Sequence, residues 1–207
     1  MKIFDIGCSR GDDLLNIKNE FFKIGLDTDL HGLEINSVYA EEAVKRGISV
    51  ASLDIEKDKL PYENNFFDII VANQILEHVK EFFWINSEIN RVLKPGGLYI
   101  IGVPNLASFH NRLLLLFGQQ PTSIRTLGPH VRGYTKKDLV EAMTKHGGFR
   151  LLSSAGGNFY PFPPTLAKFL SKLFPSAAVS LFLVFEKTKE SSFKEFLAVP
   201  LETNFKI

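Results

Sequence analysis

Three acidic residues, Asp5, Glu34 and Asp54, each sit at or just past the end of a short apolar run, and that recurrence is the first sign of chemistry in the chain. Asp5 lies in Lys2-Ile3-Phe4-Asp5-Ile6-Gly7-Cys8-Ser9-Arg10-Gly11, where a carboxylate repels a pyrophosphate and suits a cationic group such as an ammonium. Gly7 and Gly11 bracket a tight turn with the small residues Cys8 and Ser9 inside it. Such a turn lets backbone approach a ligand, and the helix after it offers unpaired N–H groups. Glu34 follows Gly11 by 23 positions, near the ~20 at which nucleotide folds place a carboxylate for ribose hydroxyls. Ile35 stands beside it. Asp54 suits an exocyclic amine such as that of adenine, and Ile55 suits a ring face. The spacing Gly7-x-x-x-Gly11 departs from Gly-x-Gly-x-x-Gly, so NAD is the poorer match.

These residues need elements to hold them. Apolar runs predict strands at 2–6, 31–36, 48–53, 66–71, 98–103, 150–154 and 179–187. Helical periodicity lies between them: from Asp12 or Asp13, either of which can cap, and then over 38–46, 82–93, 106–117 and 136–145, the last capped by Thr135. Strands alternating with helices imply a parallel sheet whose carboxyl ends line one crevice. The fourth strand delivers Asn73, Gln74 and His78 to that crevice, and the fifth delivers Asn105. His110 interrupts an amphipathic helix, and His130, Arg132 and Tyr134 lie in a loop that can reach the site from above. His78 is the best internal base because imidazole titrates near neutrality, with His130 and His110 behind it. A structural role competes for each of them.

Lys plus Arg (24) nearly balances Asp plus Glu (23), which removes bulk attraction to nucleic acid, and no nucleic-acid partner is expected. The single cysteine cannot form an intrachain disulfide, and no leader pattern opens the chain, so a cytoplasmic location is expected. No Cys/His cluster has metal-ligand spacing, and no metal is expected.

Taken together, Asp5-Ile6-Gly7-Cys8-Ser9-Arg10-Gly11, Glu34, Asp54, Leu60-Pro61 with Phe67-Asp68, Leu76-Glu77-His78-Val79 and Leu93-Lys94-Pro95-Gly96-Gly97 resemble the class I S-adenosylmethionine-dependent methyltransferases, type 11 subgroup. Val103-Pro104-Asn105 with Asn111-Arg112-Leu113 hints at a MetW-like branch. The resemblance implies an α/β fold, Rossmann-like, with a doubly wound seven-stranded sheet, strand seven antiparallel, in three α/β/α layers. It implies S-adenosylmethionine as cofactor, with Asp5 and the Gly7–Gly11 loop (Cys8 and Ser9 included) on the methionine part. Glu34 and Ile35 then take the ribose region, Asp54 and Ile55 adenine, and Asn73 and Gln74 lie alongside. Asn105, His110, Arg132 and Tyr134 are the candidates for the acceptor side, and His78 and His130 for catalysis. The acceptor is expected to be a small molecule or lipid-like. Ser9 stands where glycine is commoner, and the chain opens on strand one without the helix that usually precedes it, so a competing expectation is a catalytically idle cofactor-binding protein.

One domain is expected over 1–207: a cofactor half (1–105), acceptor-side loops, lid and last strands (106–190), and a tail (191–207). Within 159–175, Leu166, Phe169, Leu170, Leu173 and Phe174 make an apolar stripe opposite Lys168 and Lys172. Two readings stay open: a helix packed on the sheet edge or in a homodimer contact, and a lid or interfacial helix in peripheral contact with a membrane.

Overall fold

The structure is a computed structural model, and it describes residues 1–145 and 147–192. Seven strands, β1 (Lys2–Ile6), β2 (Asp29–Leu33), β3 (Ser49–Ala51), β4 (Phe67–Asn73), β5 (Leu93–Pro104), β6 (Phe149–Gly157) and β7 (Ser180–Lys187), form one sheet in the order β3-β2-β1-β4-β5-β7-β6. The first five are mutually parallel, and β7 runs antiparallel between β5 and β6. This is the Rossmann-like doubly wound architecture that the motif order implied. The order reverses beside β1, so the crevice opens at the carboxyl ends of β1, β2 and β4.

Six helices cover the sheet: α1 (Asp12–Lys23), α2 (Ser37–Lys45), α3 (Phe82–Val92), α4 (Phe109–Leu116), α5 (Lys136–Lys145) and α6 (Pro164–Leu173). The central strands are apolar on both faces because helices lie on both. Phe4, Phe67, Ile70, Tyr99 and Phe185 are each fully buried, and burying a side chain of that size stabilises by about 1.5–3 kcal/mol. Phe4 stacks on Phe67 with ring centroids 4.8 Å apart. On the far side, the buried Lys187 ammonium lies 2.7–2.9 Å from Asn65 Oδ1, Asn90 O, Leu93 O and Glu190 Oε1, fastening the end of β7 to the α3–β5 junction.

Several boundaries move. Neither Asp12 nor Asp13 caps α1: the cap position is Gly11 in a left-handed conformation with no side-chain cap. Asp12 instead pairs with Arg46, and Asp13 accepts from Asn73 Nδ2 at 2.9 Å. β2 ends at Leu33 and β3 at Ala51, which leaves Glu34 and Asp54 in the turns beyond. β5 begins at Leu93, so the Lys94–Gly97 break is taken into the strand as an irregularity opposite Phe67 and Ile69. Thr135 does cap α5: its Oγ1 accepts from Asp138 N and donates to Asp138 Oδ2.

Of the stripe on α6, Leu170 packs beside Phe159, Ala167 and Ala178, and the rest is not packed away. Leu166, Phe169, Leu173 and Phe174 are 42–62% exposed, while Ala167 and Ser171 face inward. Among the described residues no helix is long and apolar enough to cross a membrane. Of the expected tail, residues 193–207 lie outside the described residues.

Candidate cofactor crevice

The turn after β1 is held by β2. Gly7 N and Cys8 N both donate to Leu33 O, at 2.9 and 3.0 Å. Gly7 and Gly11 have φ of 74° and 83°, and a Cβ on Gly11 would lie 2.0 Å from Ile48 Cδ1, so this turn needs glycine there on two counts. Cys8 fills the space that Gly32 leaves empty; a Cβ at Gly32 would sit 2.4 Å from its sulfur. Burial, then the charges of Asp5 and Glu34, push the Cys8 thiol up to about 12, which suits filler and not a nucleophile.

Glu34 clamps the loop. Its Oε2 accepts from Ser9 N at 2.9 Å and its Oε1 from Asn36 N at 2.8 Å, while Asn36 caps α2 through Val38 N and Tyr39 N. Below the clamp lies Asp5, 3% exposed. Its carboxyl is held well above the usual range by burial first, then by Asp13 and Glu34. A buried carboxylate beside two other acids is a site for a cation.

A cleft of about 260 Å³ runs along Gly7, Glu34, Ile35, Leu53, Asp54, Ile55, Ile75 and His78. It unites the expected ribose and adenine residues on an apolar floor. Asp5, Cys8, Ser9, Gly11, Asn73 and Gln74 lie outside its lining, and Ile75 sits against Gly7, where a Cβ would lie 3.1 Å from Ile75 Cδ1. Asp54 is committed to its own turn, accepting from Glu56 N at 3.1 Å and Lys57 Nζ at 2.6 Å, and the Lys57 contact above all holds its carboxyl below the usual range. Gln74 ends β4 at φ 57° with its side chain exposed. Ile75, Leu53 and Glu56 were not singled out from sequence. Ile75 carries no polar signal, and only its position directly after Gln74 could have marked it.

The acceptor-side candidates divide. Asn105 is corrected to a scaffold residue: it is 1% exposed, with Nδ2 on Ser176 O and Ala178 O and Oδ1 on Ala107 N. Tyr134 is likewise buried, its hydroxyl donating to Leu76 O at 2.9 Å. His110 is turned away between Ser108 Oγ and Thr122 Oγ1, and burial lowers its pKa. Arg132 donates to Lys80 O. His78 and His130 do meet, with ring centroids 4.8 Å apart, and His78 lines the cleft.

A family model described as "Methyltransferase domain" matches residues 4–101. Over these residues the chain is similar to that family. The chain is 32% identical over 103 residues to a sterol 24-C-methyltransferase of Gibberella zeae, covering 48% of this chain and 26% of that protein. It is 26% identical to a demethylmenaquinone methyltransferase of Staphylococcus aureus, over 56% of this chain and 50% of that one. The chain therefore spans between about a quarter and a half of these curated relatives. Among solved structures, S-adenosylmethionine-dependent methyltransferases from Thermotoga maritima (TM-score 0.61, 20% identity, 91% of this chain and 82% of that one) and Methanosarcina mazei (0.61, 17%, 90% and 92%) share its fold. The fold match extends beyond residue 101, over the antiparallel end of the sheet.

Proposed function

We propose that the protein transfers a methyl group from S-adenosylmethionine to a lipid-like acceptor, and that 1–207 acts as one unit in doing so. The observation that carries the reading is the buried, cation-seeking Asp5 lying under the same glycine turn that Glu34 clamps. The residues fit the cofactor. Asp5 would hold the ammonium group, Glu34 the ribose hydroxyls, and Ile55 with Leu53 the adenine ring against the cleft floor. Bound there, S-adenosylmethionine supplies an electrophilic methyl. The chain holds the acceptor in line, excludes water with Ile75 and Val79, and takes a proton on His78 where the acceptor carries one. Seating the methionine end requires Ile75 to swing off Gly7, because 260 Å³ falls short of the roughly 300–1,000 Å³ of ordinary ligand clefts. The activities of the sterol and menaquinone relatives support the acceptor class, and so does the exposed apolar stripe on α6. That stripe gives 159–175 a peripheral membrane contact or a homodimer contact in this reading.

Calorimetric titration with S-adenosylmethionine, with NAD as control, tests it, followed by transfer of labelled methyl to a lipid extract. Micromolar affinity, about −8 kcal/mol, roughly tenfold weaker in Glu34→Gln, is expected. Absence of binding sinks the reading, and binding without transfer to any lipid moves the idle binding protein to first place.

A further inference from the structure

Beside the crevice, the loop before α5 folds back over the turn at Leu76–His78 and sets three donors around one point. One ligand atom each from Glu77, His78 and His130 all lie within 4.8 Å of one another. Glu77 is 1% exposed, and neither of its carboxylate oxygens has a hydrogen-bond partner among the described residues. Its own backbone N–H is near but outside hydrogen-bond geometry. A buried carboxylate without a partner is stable only when it takes up a proton or when a cation compensates it.

The two imidazoles are arranged to supply that cation's other ligands. His130 Nδ1 lies 2.9 Å from Ser123 O, and His78 Nδ1 lies 3.4 Å from Pro129 O. A carbonyl only accepts, so each Nδ1 is the donor, and in the neutral ring the Nε2 lone pair is the one left for a metal. A ring N–H held by a backbone carbonyl is the support that metal-ligating histidines use. Donors bound to one zinc at about 2.0–2.2 Å are at most about 4 Å apart, so side-chain shifts of about 1 Å close the set. We infer that Glu77, His78 and His130 form a divalent-metal site for a borderline ion such as Zn²⁺, its open coordination positions facing the crevice that His78 lines. The cluster was hidden in the sequence because His130 joins the Glu77-His78 pair only through folding. The inference does not rest on the methyl-transfer reading, and it bears on it at one residue: with metal bound, His78 Nε2 is a ligand and no longer a base.

Equilibrium dialysis of the chelator-stripped full chain against Zn²⁺, with Co²⁺ absorption as a report of nitrogen and oxygen ligands, tests it. One zinc per chain is expected, with affinity falling in His78→Ala and in His130→Ala by more than the roughly 10–100-fold that loss of a supporting partner causes. Glu77→Gln keeps the shape and removes the buried charge, so the metal-free variant should melt no lower than wild type and gain nothing from zinc. His78 is exposed, so its variant folds regardless. Zinc binding that survives unchanged in His78→Ala or Glu77→Gln, or no zinc bound by the wild type at 100-fold excess over protein, overturns the assignment.

Discussion

Replacing Asp5 with asparagine removes a negative charge from a place where Asp13 and Glu34 already oppose it, while keeping its shape. Desolvation is the leading cause of its raised pKa, ahead of those two neighbours. Without ligand, the folded protein therefore keeps a proton on Asp5 at pH values where the unfolded chain, near the ordinary 3.8, has lost it. Where the folded state binds more protons, stability falls as pH rises, by up to about 1.4 kcal/mol per pH unit for one group. That decline begins near 3.8 and ends at the folded pKa. The Asp5→Asn variant lacks it, so without ligand the variant should be the more stable protein at about pH 8. Cofactor binding should change in the opposite sense. Losing a charged acceptor for the ammonium costs about 1.5–3 kcal/mol, or roughly 10- to 150-fold in Kd. Thermal melts across pH and calorimetry in two buffers of different ionisation enthalpy read both, and the wild type should release protons on binding where the variant does not. A variant less stable at pH 8, or one binding S-adenosylmethionine as tightly as wild type, would refute the assignment of Asp5.

Gly11→Ala must place a Cβ 2.0 Å from Ile48 Cδ1 at φ 83°, and strain of about 1–3 kcal/mol from the backbone alone should lower its urea midpoint; an unchanged midpoint would contradict the loop geometry. Cys8, with a thiol pushed up to about 12, should alkylate at least ~100-fold more slowly in the native protein at pH 8 than in urea, and equal rates would show the thiol to be accessible. Lys187→Met strands the buried Asn90 and Leu93 carbonyls at about 1–3 kcal/mol per orphaned group. Its denaturation midpoint should fall clearly, and no fall would mean that water takes over those contacts.

The sheet was legible because each strand of the first half is a short apolar run closed by a polar signal, and Gly7 and Gly11 take the left-handed turn their spacing suggests. What escaped reading depends on contacts across long stretches of chain. Asp12 and Asp13 have the composition of caps, yet Arg46 and Asn73 recruit them. Asn105 looks like a site residue at a strand end, but the backbone at Ser176 and Ala178 claims its amide. The α6 stripe has the pattern of a buried face, yet of its large residues only Leu170 packs inward, beside the small Ala167 and Ser171, and pattern alone does not say which side meets the protein.

Above the turn at Leu76–His78, Val131 N and Arg132 N both bond Glu77 O, the Tyr134 hydroxyl bonds Leu76 O, and Leu106 N bonds Tyr134 O. A cover stitched at so many backbone points does not swing on a hinge; it opens only when the stitches break together, as a local unfolding event with its own free energy. Traffic through the crevice therefore passes side chains instead: Ile75 inside and the exposed Ile35 at the mouth. Surface side chains turn over in picoseconds to nanoseconds, so the exposed Ile35 does not limit entry at that mouth while the cover stays shut.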